Sequence, residues 1–164
     1  MSMFIAQTIN KADPTTDIEL MVYSLQNRLN QFFAITIALV ISAWTGQWLG
    51  IVSAYLLLML IRGRSGGRHL PSLTWCSLVS GIFMGLVPLI NYNEKVIIVM
   101  TVVSVITFLL YAPNYFHERN DDGSDLKNKV IVTGIAASNL FIESSLMATI
   151  LVVQAITIIP WSRR

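Results

Sequence analysis

Six apolar stretches, separated by short polar or glycine-containing segments, restrict this chain to a helical membrane protein. They cover Phe32–Thr45, Trp48–Ile61, Trp75–Ile90, Val96–Ala112, Val130–Ile142 and Leu146–Ile159. As helices they measure roughly 20–26 Å, slightly less than the ~30 Å hydrocarbon core of a bilayer. Hydrophobic residues make up 54% of the 164 positions and charged residues only 12%, whereas about a quarter of a soluble domain is charged. The sequence therefore predicts an all-α integral membrane protein.

The first two stretches decide how many segments to expect. A single helix over Phe32–Ile61 would run about 45 Å, too long for one span, and Gly46 and Gly50 on either side of Gln47 predict a turn. Six spans with a cytoplasmic N-terminus place ten Lys and Arg residues inside and one, Lys95, outside. If the first two stretches formed one span, at best eight Lys and Arg residues would lie inside and three outside. The positive-inside rule therefore favours six segments. Both termini are then cytoplasmic, and the first pair forms either two spans or a re-entrant hairpin beside four spans.

Residues 1–30 are expected to form an N-terminal tail that carries an amphipathic helix, ahead of a multi-pass membrane domain over residues 31–164. Thr16 and Glu19 have the spacing of a capping box, and Asp17 suits the positive end of a helix dipole. Apolar residues then recur at helical spacing from Ile18 to Leu29. This pattern fits a helix lying in the membrane interface, and it fits a simple packing helix equally well.

The segment 62–76, between the second and third stretches, holds the residue types that nucleophilic catalysis needs. His69 and the only cysteine, Cys76, supply an imidazole that can take the proton of a thiol. Gly66 and Gly67 allow the backbone to turn tightly and to approach a substrate closely. The same segment also carries three arginines, Arg62, Arg64 and Arg68.

Geometry sets a condition on the pair. On one continuous helix, residues seven apart are separated by roughly 10.5 Å along the axis, whereas an imidazole–thiol contact needs about 3–3.5 Å. We therefore expect a non-helical connection through Pro71, an N-cap at Ser72 or Thr74, and Cys76 in the first turn of the next helix. The helix N-terminus would then stabilise the thiolate. Backbone N–H groups near Gly66, Gly67 or Cys76 are candidate oxyanion donors.

Other chemistries find less support in the sequence. A zinc site needs three or four ligands, and the chain has one cysteine and no HExxH motif, so we expect no metal and no cofactor. A net charge of +2 without a basic run interleaved with aromatics gives no indication of nucleic acid as a partner, and we expect none. The alternatives to an enzyme are a small multi-pass peptide transporter and a non-catalytic membrane scaffold. Two amides in the last two stretches and a carboxylate at the edge of one of them are expected to form interhelical hydrogen bonds: Asn139, Gln154 and Glu143.

Several of these residues resemble the signature of the accessory gene regulator B (AgrB) family, including the spacing of seven between histidine and cysteine. The signature residues are Leu60-Ile61-Arg62, Gly67, His69, Pro71, Trp75 and Cys76. The similarity continues from about Met21 through most of the chain, with matches at Pro88, at Tyr111-Ala112-Pro113 and over Ala155–Pro160. One departure is the segment after Pro113, which is longer and more acidic than the basic version typical of the family.

This resemblance implies a cysteine endopeptidase of the bacterial cell membrane that cleaves a short quorum-sensing propeptide (AgrD-like). Cys76 corresponds to the nucleophile and His69 to its base, while Arg62 and Gly67 match a required arginine and glycine. The product would be a cyclic thiolactone or lactone peptide, formed through an acyl-enzyme, or a linear peptide if water intervenes. A homodimer is a further expectation from the family. The arginines either hold an acidic propeptide tail or simply fix the topology.

Overall fold

The computed structural model describes residues 18–68, 72–114 and 125–160, and in these ranges the chain is built from six α-helices and one short 3₁₀ turn. The elements are α1 (Ile18–Thr45), α2 (Trp48–Ser65), α3 (Leu73–Leu86), the 3₁₀ turn Val87–Leu89, α4 (Glu94–Tyr111), α5 (Asp125–Ile142) and α6 (Ser145–Ile158). Each apolar stretch of the sequence lies mostly within one helix. The prediction of an all-α protein is therefore confirmed.

Helix α1 joins two segments that the sequence analysis treated separately. It runs for 28 residues and passes residue 30 without a break, because no glycine or proline interrupts the chain between Ile18 and Thr45. The expected amphipathic helix is thus the N-terminal part of the first long helix. The capping residue Thr16 lies outside the described residues. The interfacial location of this part, and a domain boundary at residue 30, stay predictions.

The turn between α1 and α2 is formed at Gly46, as the sequence predicts. Gly46 has φ +71°, a conformation that glycine adopts without steric cost, and its N–H donates to the Ser42 carbonyl at 2.8 Å. Gly50, in contrast, lies inside α2, so its assignment to the turn is wrong. A Cβ at Gly50 would lie 2.7 Å from Cβ of Pro88. This glycine lets the 3₁₀ turn approach α2.

The helix connections fall alternately at two ends of the bundle. At one end, which we call the loop end, hydrogen bonds join the segment Ser65–Arg68 to Asn114 and to the last turn of α6. At the opposite end the Tyr92 N–H donates to Oγ of Ser145 at 3.0 Å, which ties the α3–α4 connection to the start of α6. The loop end carries the segment that the charge count assigns to the cytoplasm.

Three of the described helices are long and apolar enough to cross a membrane: Arg28–Thr45 within α1, together with α2 and α4. The apolar segments Thr74–Leu89 and Ser145–Ile158 are shorter. Many large apolar side chains point outward, and Trp44 and Phe141 are 96% and 91% exposed. Such surfaces are typical of a protein surrounded by lipid. The chain is a membrane protein, and its crossing the bilayer six times stays a prediction.

Helices α1 and α3 run parallel and pack through small residues. A Cβ at Gly81 would lie 2.8 Å from the Ala34 carbonyl oxygen, and a Cβ at Gly85 would lie 2.7 Å from Cδ1 of Ile41. Residues later in α3 thus contact residues later in α1, as parallel helices require. The spacing of the two glycines is the small-xxx-small pattern that lets membrane helices approach closely.

The remaining helices form a second group, in which both α2 and α4 pack against α5 and α6. Its core is a cluster of buried apolar residues, among them Ile61, Phe108, Val132, Leu151 and Ile158. A second cluster connects α2 and α6 to the α1–α3 pair, and it includes Ala38, Ile51, Met84 and Ile150. Helix α6 contributes to both clusters and ends at the loop end.

We predict that Gly81→Ala and Gly85→Ala each lower the free energy of unfolding by about 1–3 kcal/mol, because the added methyl group overpacks the α1–α3 contact. Gly134→Ala is the matched control. A Cβ at Gly134 meets nothing within 4 Å, so alanine should be neutral, or stabilising by up to about 1 kcal/mol through its helix propensity. Thermal unfolding of the purified protein in detergent measures all three. Equal stability of all three variants would contradict the close α1–α3 contact.

Candidate functional site

Cys76 lies at the end of the first turn of α3, where the sequence analysis placed it. The residue before the helix, Ser72, is extended (φ −105°, ψ 121°) and is the N-cap. The Cys76 N–H donates to the Ser72 carbonyl at 2.9 Å, and the Cys76 side chain is half-buried. Because Ser72 is extended, α3 does not continue through it toward His69, which agrees with the expected start of this helix.

His69 lies outside the described residues, together with Leu70 and Pro71. The pairing of His69 with Cys76 therefore stays a prediction. Thr74, the alternative N-cap, is instead inside the first turn of α3, where its carbonyl accepts a hydrogen bond from Oγ of Ser77 at 2.9 Å.

The arginines lie at the loop end, at and just after the C-terminus of α2. Arg62 and Arg64 occupy its last turn, where a positive charge interacts favourably with the helix dipole. One Nη of Arg64 donates to the Leu60 carbonyl at 3.1 Å. The side chain of Arg68 is exposed. The dipole gives Arg62 and Arg64 a structural role that holds whether or not they also contact a substrate.

Gly66 and Gly67 provide the sharp change of direction that the sequence predicts after α2. Their φ angles are +72° and +133°, which residues with a Cβ atom rarely adopt. A Cβ at Gly67 would lie 2.8 Å from Oγ1 of Thr157 and 3.1 Å from Nε2 of Gln154. Both of these residues belong to α6. Position 67 therefore requires glycine for its backbone conformation and for its packing against α6.

Backbone hydrogen bonds attach the segment Ser65–Arg68 to the ends of two other helices. The Asn114 N–H donates to the Ser65 carbonyl at 2.9 Å, and the Gly67 N–H donates to the Asn114 carbonyl at 3.1 Å. The Arg68 N–H donates to the Thr157 carbonyl at 3.0 Å. The side-chain amide of Asn114 in turn donates to the Ile158 carbonyl at 2.8 Å. The start of the segment that contains His69 is thereby fixed against α4 and α6.

Gln154 adds a buried side-chain amide to these bonds. It is 1% exposed, and its Nε2 donates to Oγ of Ser65 at 2.9 Å and to the Gly66 carbonyl at 2.6 Å. Residue patterning predicted only that Gln154 would bond between helices and did not connect it to the loop. Its signal in the sequence is that it carries the single amide side chain of α6.

Asn139 and Glu143, the other two residues for which interhelical hydrogen bonds were predicted, have different environments. Nδ2 of Asn139 donates to Oγ1 of Thr101 at 2.9 Å, so the predicted interhelical hydrogen bond is confirmed there. Asn139 also pairs with the backbone of Ser144 in the α5–α6 turn. Glu143 is exposed in that turn at φ 55°, outside both helices. These contacts lie at the end of the bundle opposite the loop end.

The amides considered as oxyanion donors already have partners. The Gly66 N–H donates to the Arg62 carbonyl at 3.0 Å, and the amides of Gly67 and Cys76 donate to Asn114 and Ser72 as described above. The first N–H groups of an α-helix have no partner within it, and the Ser72 side chain makes no capping hydrogen bond. The first-turn amides of α3 therefore have no partner within the helix, and they lie close to Cys76 along the chain.

Metal-ligand clusters are absent from the part of the chain that the structure describes: no three His, Cys, Asp or Glu side chains lie close enough together there to hold a metal ion. Both histidines, His69 and His117, lie outside those ranges. Among the side chains that the structure describes, the buried polar ones belong to serine, threonine, asparagine and glutamine, all of them neutral.

Comparison with known proteins identifies a family. The sequence model of the family described as Accessory gene regulator B matches residues 2–161, nearly the full length of the chain. No curated protein and no solved structure is similar enough to count as a match.

We predict that Gly67→Ala lowers the free energy of unfolding by about 1–3 kcal/mol, because it combines backbone strain with a clash against α6. Gly63→Ala, four residues earlier, is the control, since a Cβ at Gly63 meets nothing within 4 Å. Thermal unfolding gives the stability, and hydrogen exchange at the Arg68 amide reports whether its bond to Thr157 persists. Unchanged exchange in Gly67→Ala would contradict the close packing of this segment on α6.

Proposed function

The chain belongs to the accessory gene regulator B family, and from this membership we propose that it is a membrane cysteine endopeptidase of bacterial quorum sensing. Its substrate is a short propeptide of the AgrD kind. The observation that carries the proposal is the position of Cys76, in the first turn of a helix that begins directly after an extended Ser72. That position suits an activated thiol, and the family match over residues 2–161 supports reading it as a nucleophile.

Cys76 acts as the nucleophile and His69 as its base. The imidazole of His69 takes the thiol proton, and the positive end of the α3 dipole stabilises the resulting thiolate. An extended Ser72 is what such a pair requires, since a helical connection would hold the two side chains roughly 10.5 Å apart.

Cleavage proceeds through an acyl-enzyme. The thiolate attacks the carbonyl carbon of the scissile peptide bond, a C–S bond forms and the C–N bond breaks. The leaving amine takes the proton from the His69 imidazolium and departs with the C-terminal part of the propeptide. The N-terminal part remains on Cys76 as a thioester.

The fate of the thioester determines the product. A thiol or hydroxyl within the bound peptide can attack the thioester carbonyl, lose its proton and release Cys76, which yields a cyclic thiolactone or lactone. Exchange of one thioester for another is nearly balanced in energy, so forming a thiolactone needs no ATP. Attack by water gives a linear peptide instead.

The developing oxyanion is stabilised by the first-turn amides of α3, at Leu73, Thr74 and Trp75. Preorganised donors of this kind are often the largest electrostatic contribution to acyl transfer. Their advantage over the amides of Gly66, Gly67 and Cys76 is that the latter already donate to carbonyl oxygens.

The proposed location is the bacterial cell membrane, with six spans and both termini in the cytoplasm. The loop end then faces the cytoplasm, where a newly made propeptide first meets the enzyme. The exposed Arg68 and its neighbours at the end of α2 suit an acidic propeptide tail. Lipid covers the outward apolar faces, and a second copy of the chain is the expected protein partner.

The buried polar residues favour an enzyme over an ion-coupled transporter. Transport pathways usually place ionisable side chains at membrane depth. Among the side chains that the structure describes, the buried polar ones are neutral, and the carboxylates of Glu94, Asp125 and Glu143 are exposed.

We predict that Cys76→Ala and His69→Ala each abolish cleavage of a co-expressed propeptide encoded beside the gene, while the protein remains in the membrane. Cys76→Ala removes the nucleophile, and His69→Ala removes its base. Ser80→Ala, one turn further along α3, is the control and should cleave normally. Mass spectrometry identifies the products. Cleavage by Cys76→Ala would refute the enzyme assignment.

The topology makes a separate prediction, tested at the two ends of α5 in a Cys76→Ala background. Asp125→Cys and Glu143→Cys both place a thiol at an exposed position. A membrane-impermeant maleimide should label Glu143→Cys in intact cells and Asp125→Cys only after permeabilisation, because the charge count places the loop end inside. The reverse pattern would invert the topology and remove the cytoplasmic site.

A further inference from the structure

We propose that Gln154 is a positioning residue for this enzyme, which fixes the backbone of Ser65–Arg68 immediately before His69. The inference rests on the proposed function, since it concerns how His69 is brought to Cys76. Its direct support is the pair of buried hydrogen bonds from the Gln154 amide.

The two bonds of Gln154 go to the last residue of α2 and to the turn that follows it. Its Nε2 donates to Oγ of Ser65 at 2.9 Å and to the carbonyl of Gly66 at 2.6 Å, and Oγ of Ser65 also donates to the Gly66 carbonyl at 3.3 Å. Gln154 is 1% and Ser65 0% exposed. Because the Gln154 amide and the Ser65 hydroxyl are buried, losing the amide would leave the Gly66 carbonyl with the longer bond from Ser65 in place of its 2.6 Å bond.

The Gly66 carbonyl belongs to the peptide unit that joins the two glycines. Glycine residues restrict the backbone very little by themselves, so the path of the chain here depends on bonds from outside the segment. Once Gln154 holds the Gly66 carbonyl, the amides of Gly67 and Arg68 donate to Asn114 and Thr157, at 3.1 and 3.0 Å. His69 follows Arg68 directly, with a Cα–Cα distance of ~3.8 Å across a trans peptide. The segment therefore fixes the backbone position from which the chain continues into His69.

Asn139 shows what a buried amide does in this bundle without contact to the loop. It is 0% exposed and bonds to Thr101 and to the α5–α6 turn, at the end opposite the loop end. Removing either amide should lower stability. Only removal of Gln154 should change reactivity that depends on His69.

The test uses alkylation of Cys76 by iodoacetamide in the full-length protein, measured as rate against pH. In the wild type, pairing with His69 keeps the thiol reactive below the usual thiol range, and His69→Ala moves the midpoint of the profile upward. Gln154→Met, of similar volume, should reproduce most of that shift and slow alkylation at neutral pH about tenfold, as a shift of one pH unit requires. Asn139→Leu should unfold at a lower temperature but keep the wild-type profile.

Two further variants make the outcome decisive. Ser65→Ala keeps the bond from Gln154 to the Gly66 carbonyl, so it should fold even if Gln154→Met does not, with a smaller upward shift of the midpoint. If neither Gln154→Met nor Ser65→Ala shifts the profile while His69→Ala does, the positioning role is overturned and the proposed function stands. If His69→Ala itself leaves the wild-type profile unchanged and Cys76→Ala still cleaves the propeptide, the proposed function fails, and the role of Gln154 fails with it.

Discussion

Polar groups buried between these helices have to find their hydrogen-bond partners inside the protein, because lipid supplies none. At the loop end this constraint joins the C-terminal ends of α2, α4 and α6 through Ser65, Asn114 and Gln154. At the opposite end Asn139 does the same for α4 and the α5–α6 turn. Apolar packing brings the helices together, and these few amides determine how their ends are arranged.

The proposed chemistry depends on that arrangement. A thiolate at the start of α3 is useful only if His69 reaches it, and the chain leading to His69 leaves α2 through two glycines with positive φ. Backbone this unrestricted would sample many paths. Its bonds to Asn114, Gln154 and Thr157 select one of them. A requirement for glycine at position 67 then follows from packing against α6 as well as from the turn itself.

The helices were predictable from the sequence because each apolar stretch is bounded by polar residues, glycine or proline, and Gly46 does form the first turn. The start of α3 was predictable too, since Pro71 disfavours a helical residue before it and Ser72 is a good N-cap. The continuity of α1 past residue 30 was not foreseen, nor was the place of Gly50 within α2. The bonds from Gln154 to Ser65 and Gly66 join residues 89 and 88 positions apart, and local patterning carries no information about such pairs.

The most direct test of the account is to capture the acyl-enzyme. The full-length protein, purified in detergent, is mixed with the propeptide and quenched in acid within the first turnover, and its intact mass is measured. We predict an added mass equal to the N-terminal part of the propeptide, located on Cys76 by peptide mapping and released by hydroxylamine as a thioester should be. Release of the C-terminal fragment without any adduct on Cys76 would contradict nucleophilic catalysis by this residue.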